Sequence, residues 1–112
     1  MALRRSYTAV VERNARWQGE FASEPYEAAW ASEAIFFVRA LADAVGTGGN
    51  ARVQISADGI RWVDEGTTFD LPRSEDEITF CRVSHFGGWL RIAGTLAPDA
   101  KITVLVSLAL KE

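Results

Sequence analysis

Between Ile102 and Leu110 the side chains alternate without a break. Ile102, Val104, Val106, Leu108 and Leu110 fall on one face, and Thr103, Leu105, Ser107 and Ala109 on the other. A period of two is the period of a β-strand. Neither face carries a charge, and the second is small and apolar, which is the pattern of a strand in the middle of a sheet or of one covered by a neighbouring subunit. An edge strand with no lysine, proline or bulge invites pairing by another chain. The segment therefore demands cover on both flanks, and homo-oligomerisation is the expectation that follows.

The rest of the chain reads mostly as short strands. Ala51-Arg52-Val53-Gln54-Ile55-Ser56 alternates, Ala57-Asp58-Gly59 interrupts, and Ile60-Arg61-Trp62-Val63 resumes a β-prone run. Asp-Gly between two such runs is a hairpin signal, because glycine takes the positive φ of a tight turn. Glu77–Val83 and Trp89–Ala93 read as two further strands separated by Gly87-Gly88, and Pro98-Asp99 turns the chain into the last one. Nearer the N-terminus, Tyr7–Val11, Arg16–Phe21 and Ala34–Leu41 are expected as strands, with Pro25–Ala31 irregular or a short strand and 47–50 a loop. Ser23-Glu24-Pro25 before an alanine-rich stretch ending at Val45-Gly46 also carries the marks of a capped helix, so residues 25–45 remain open between a short helix and strand.

The chain of 112 residues has the size of one domain, 1–112, in which 1–21 supplies either the first strands or an arm reaching onto a neighbour by strand addition. Its 48% hydrophobic and 24% charged residues are ordinary for a folded globular chain. The expected class is all-β, a two-sheet antiparallel sandwich of jelly-roll type with seven or eight strands. No apolar run reaches the ~18 residues of a membrane span. The opening Met1-Ala2-Leu3-Arg4-Arg5 is not followed by the apolar stretch of a signal peptide, so the expected location is the cytoplasm or the interior of a virion or shell assembly. A formal charge of −3 offers no positive field for phosphates, which argues against a nucleic-acid partner, and Arg4-Arg5 is too little charge for a membrane surface.

The stretch Val53-Gln54-Ile55-Ser56-Ala57-Asp58-Gly59-Ile60-Arg61-Trp62, followed by Arg82-Val83, Leu90-Arg91-Ile92 and the alternating last strand, resembles small jelly-roll-like β-sandwiches. Such domains occur in phage and virion structural proteins and in discoidin-like or carbohydrate-binding modules. The resemblance runs from Val53 to the C-terminus, with Ser-x-Asp-Gly-x-x-Trp at its centre. It implies a sandwich used for binding or assembly.

Residues that could carry chemistry are few. The chain holds one cysteine, Cys81, and one histidine, His85; on a strand, a separation of four places them ~13 Å apart, beyond hydrogen-bond reach. A jelly-roll metal site needs several histidines, so no metal or cofactor is expected, and neither is an enzyme. The acidic run Glu75-Asp76-Glu77 supplies oxygens that calcium accepts, although a solvated turn uses the same residues. Trp17, Trp30, Trp62 and Trp89 serve either as core or as binding surface. With Leu90 and Ile92 inward, Trp89 and Arg91 point outward, a pair enriched at protein interfaces and equally suited to stacking on sugar. Trp62, Trp89, Arg91 and Trp30 are therefore the candidate binding residues. Ten arginines against two lysines fit a surface built for inter-subunit pairing and equally a genome that favours arginine codons. The expected function is a non-catalytic structural subunit that self-assembles, phage-derived or shell-associated. The alternative is a carbohydrate-binding module.

Overall fold

The computed structural model describes residues 4–112. They form nine strands: β1 (Ser6–Trp17), β2 (Glu20–Ala22), β3 (Tyr26–Glu27), β4 (Glu33–Ala40), β5 (Asn50–Ser56), β6 (Val63–Asp70), β7 (Ile78–Ser84), β8 (Trp89–Thr95) and β9 (Ile102–Lys111). The front sheet has the order β1-β9-β4-β7; the back sheet has the order β2-β8-β5-β6, with β3 also on β8. Every pairing is antiparallel and nested: β5 with β6, β4 with β7, β2 and β3 with β8, β1 with β9. Rolling that nested hairpin up adds β4 to β9 and β5 to β8, which is the jelly-roll arrangement. Among the described residues no helix is long and apolar enough to cross a membrane.

Alternation explains the layers. Ile102, Val104, Val106, Leu108 and Leu110 of β9 are buried, as are Ala34, Phe36, Val38 and Ala40 of β4. From the back sheet, Ala51, Val53, Leu90 and Ile92 meet them in one core. At the end where the chain crosses between sheets, Gln18-Gly19 turns with φ of +60° at the glycine, and the rings of Trp17 and Phe21 stack at 4.3 Å.

The expected two-sheet sandwich is observed, with nine strands rather than seven or eight. Residues 25–45 contain no helix. Ser23, instead of capping one, exchanges bonds with β8: its N–H donates to Ile92 O at 2.8 Å, and its hydroxyl accepts from Ile92 N at 3.0 Å. The alanines of 34–40 are the small inward residues of β4, and Gly46 (φ +80°) closes a loop so tightly that any Cβ there collides with the Asp99 carbonyl. The two strands expected at 7–11 and 16–21 are one long β1, whose register shifts at Val10/Glu12 and Glu12/Ala15, followed by β2 across the turn. Residues 6–17 and 20–22 pair with β9 and β8 of their own chain, while Met1–Leu3, the tip of the suggested arm, lie outside the described residues. Thus β9 is flanked on both sides within one chain, and the inference of an oligomer from a bare terminal strand falls away.

The hairpin at Asp58-Gly59 is present but is not tight. Ile55 pairs with Val63, so the run 60–63 is mostly loop, and its strand partner is β6, a segment not anticipated beyond Val63. The pattern of β6 shows why: Asp64, Gly66, Thr68 and Asp70 are exposed, and the residues between them are no more than half-buried.

Phe36 is 1% exposed at the sheet-to-sheet contact. Truncating it, Phe36→Ala, should cost about 3–5 kcal/mol, and thermal unfolding should show Tm lowered by more than about 10 °C.

Candidate functional site

The outer surface of the back sheet gathers three of the four expected binding residues. Gln54 lies opposite Arg91, and Ser56 opposite Trp89. The Arg91 guanidinium sits 4.4 Å from the centre of the Trp62 ring and donates from Nε to Gln54 Oε1 at 2.7 Å. Gln54 Nε2 donates to Asp64 Oδ1 at 3.0 Å, and Arg52 Nε donates to the same oxygen at 2.9 Å. The order Trp62, Arg91, Gln54, Asp64, Arg52 is thus a continuous chain of contacts across β8, β5 and β6. Hydrogen bonds from Gln54 and then Arg52 lower the Asp64 pKa, while burial and then the Arg52 charge lower that of Arg91. Gln54 and Asp64 escape sequence reasoning because the register of β6 on β5 is needed to find them.

The Ser56–Trp62 loop holds this surface in shape. The Ser56 hydroxyl accepts from the N–H groups of Asp58 and Gly59 and donates to Asp58 Oδ1 at 3.0 Å. The same carboxylate oxygen accepts from Ile60 N and Arg61 N, both at 2.8 Å, and Oδ2 receives Arg61 Nη1 at 3.0 Å. Such a side-chain turn replaces the missing strand ladder. Gly59, at φ +78°, leaves room for Trp89, whose ring atoms would lie 3.0–3.4 Å from an added Cβ. One indole is therefore laid on a glycine and the other on an arginine.

Trp30 does not join them. It lies between β3 and β4, packed partly against the core, with the Arg5 guanidinium 4.8 Å from its ring centre; Arg5 in turn pairs with Glu112 at 3.0 Å. Cys81 of β7 faces the core, and desolvation pushes its thiol up to about 11, whereas His85 is exposed with φ of +56°. They form no nucleophile–base pair. In the acidic run, Glu77 accepts from Arg73 N, Glu75 N donates to Asp43 Oδ1 at 2.8 Å, and Asp76 lies 3.9 Å from Arg39. Among the described residues, no three His, Cys, Asp or Glu side chains converge as metal ligands.

The front sheet presents a different outer surface. Phe37 on β4 faces Phe80 on β7 with ring centres 6.1 Å apart, and Arg82 lies 5.1 Å from the Phe80 ring. Phe80 is 47% exposed and Ile78 55%; Val10 of β1 lies on the same sheet, and Leu105 and Ala109 of β9 are half-buried between. Beside them, Glu33, Ile35, Arg82, Ser84 and Lys111 line a shallow groove of about 370 Å³. Ile35–Val38 lie within the strand expected at Ala34–Leu41. Alternation turns Phe37 outward, and only the β4–β7 register shows that a second phenylalanine meets it.

With this geometry in view, solved structures supply a comparison. The PBSX exported protein XepA superposes with a TM-score of 0.65 at 10% identity, over 93% of this chain and 36% of that one. The SPBc2 prophage-derived protein YomS gives 0.64 at 6% identity, over 100% and 97% of the two chains. A chain from infectious bursal disease virus, Gt strain, gives 0.50 at 15% identity, over 96% of this chain and 33% of that one. What they share is the fold. This chain spans about a third of the length of the first and third and nearly all of the second. No family model and no curated protein matches the sequence.

Two measurements probe these sites. The Asp58 carboxyl is drawn down to about 2, first by the backbone N–H groups of Arg61 and Ile60. A depressed carboxylate stabilises the fold above its unfolded value and ceases to do so as pH falls through its folded value. The amide resonances of Ile60 and Arg61 should accordingly hold steady to about pH 4 and move together toward pH 2. The Cys81 thiol should resist alkylation at neutral pH in the folded protein and react once denaturant exposes it.

Proposed function

We propose that this chain is a non-catalytic structural subunit that assembles with copies of itself. The observation that carries this reading is the outer face of the front sheet, where Phe37, Phe80 and Ile78 are exposed side by side and half-buried Leu105, Ser107 and Ala109 of β9 separate them from exposed Val10. Contiguous exposed apolar surface with arginine at its margin is the composition of a protein interface. The scattered acid, base and thiol groups fit the same reading, since general acid–base work requires them to meet. Likeness of fold to the exported protein XepA, to a prophage-derived protein and to a viral chain supports a phage-derived or shell-associated setting.

A second reading rests on the back sheet. Trp62, Trp89 and Arg91 stand together with Gln54 and Asp64, the combination of indole and planar polar groups that binds sugar rings. It calls for a saturable glycan signal that is lost in Trp62→Ala while the fold is kept.

The primary reading is tested by the mass of the purified protein in solution. Light scattering should show a multimer of defined size, and Phe37→Glu should reduce it to single chains with an unchanged β spectrum. A wild-type protein that stays monomeric at high concentration, and binds glycan, would transfer the function to the back sheet.

A further inference from the structure

A sandwich of this kind has four sheet edges, and three of them are guarded. β1 is broken by two register shifts, at Val10/Glu12 and Glu12/Ala15. The β2–β3 edge is interrupted by Ser23-Glu24-Pro25, and β6 carries a shift opposite Arg52/Gln54 together with Gly66 at φ +116°. Bulges, prolines and very short strands are the means by which proteins prevent edge pairing. β7 has none of them. It runs residue for residue along β4, from Ser84 against Glu33 to Ile78 against Arg39, without glycine, proline or lysine. No ladder joins it to β6 of the other sheet.

The polar groups of β7 point two ways. Ala40 N–H donates to Glu77 O at 3.0 Å. In an antiparallel ladder alternate residues repeat that pattern, so Thr79, Cys81 and Val83 spend their backbone groups on β4. The N–H and C=O of Ile78, Phe80, Arg82 and Ser84 then point off the sheet.

We infer that β7 pairs with β7 of a second copy, antiparallel and two-fold about Cys81, joining two four-stranded front sheets into one. The inference rests on the self-assembly reading and specifies its contact. In this register Phe80 lies opposite Arg82 of the second copy, and Arg82 opposite its Phe80. Each arginine is thereby offered a second aromatic ring like the one it already covers at 5.1 Å. Glu77 falls opposite His85 of the second copy, so the acidic start of each strand meets the histidine at the end of the other. Cys81 is the midpoint of Ile78–Ser84, so this axis pairs all four residues with outward groups, whereas an axis through Phe80 or Arg82 leaves one end of the strand unpaired, and the latter also sets two arginines face to face. The residues that come into hydrogen-bonded opposition, 78 with 84 and 80 with 82, are those whose backbone groups point off the sheet. A two-fold contact closes on itself, so it yields a defined dimer rather than a fibre.

Hydrogen exchange of the wild-type protein, read by amide across a concentration series, tests this directly. The amides of Phe80 and Arg82 should exchange slowly in the multimer and speed up by about tenfold or more on dilution to single chains. Arg82→Pro removes an N–H that β4 does not use, and proline is tolerated at such an edge position; it should halve the particle mass with the β spectrum kept, whereas Arg82→Ala should remain dimeric. If Arg82→Pro fails to fold, exchange in the wild type still decides. A multimer whose Phe80 and Arg82 amides exchange freely at every concentration overturns the β7 contact and leaves self-assembly standing. A wild-type protein that never rises above single-chain mass overturns both.

Discussion

The structure depends on the pairing of β9 with both β1 and β4. Five consecutive inward positions of that strand, Ile102 to Leu110, are fully or almost fully buried, and they form the floor on which β4 and the back sheet pack. Burial of a branched aliphatic side chain is worth about 1.5–3 kcal/mol, so this strand alone gathers much of what holds the layers together. Its small outer face lets neighbours lie flat beside it, and the larger apolar groups of the front surface, Phe37 and Phe80, come from the strands beyond.

Much of this was legible from residue order. The alternation at 102–110 identifies a strand that needs cover on both flanks, which β1 and β4 provide, the phase of Trp89–Ile92 turns Trp89 and Arg91 outward, and Asp58-Gly59 marks a reversal with a positive φ at the glycine. What remained hidden was long-range register. The clasp of Gln54 and Asp64 beneath Arg91, like the meeting of Phe37 with Phe80, exists only because particular residues of distant strands stand opposite one another. The capping signal at Ser23 misled for a related reason: a serine before proline offers its hydroxyl to any orphan amide, and the tertiary fold supplies Ile92 instead of a helix start. β6 went unseen because it buries little, and periodicity reports burial.

The two surfaces differ in kind. On the back sheet the aromatic groups are already engaged, Trp62 by Arg91 and Trp89 by the bare backbone at Gly59, and the polar groups answer one another within a single network. On the front sheet the aromatic groups meet only each other and an arginine, leaving apolar area uncovered. The back sheet also leaves Ile60 and Val63 uncovered at its loop end, so the two surfaces differ in how their aromatic rings are held and not in exposure alone.

The nesting of the strands also orders the steps by which the chain can reach this state. Closing β5 on β6 spans only the Ser56–Trp62 loop, whereas β1 on β9 brings together residues from opposite ends of the described chain. Loop-closure entropy rises with each enclosing pair, and folds dominated by distant pairings mature slowly. The innermost turn is accordingly the natural nucleus. β9, which follows β1 by some ninety residues, has to be seated on β4 before β1 finds a place to dock.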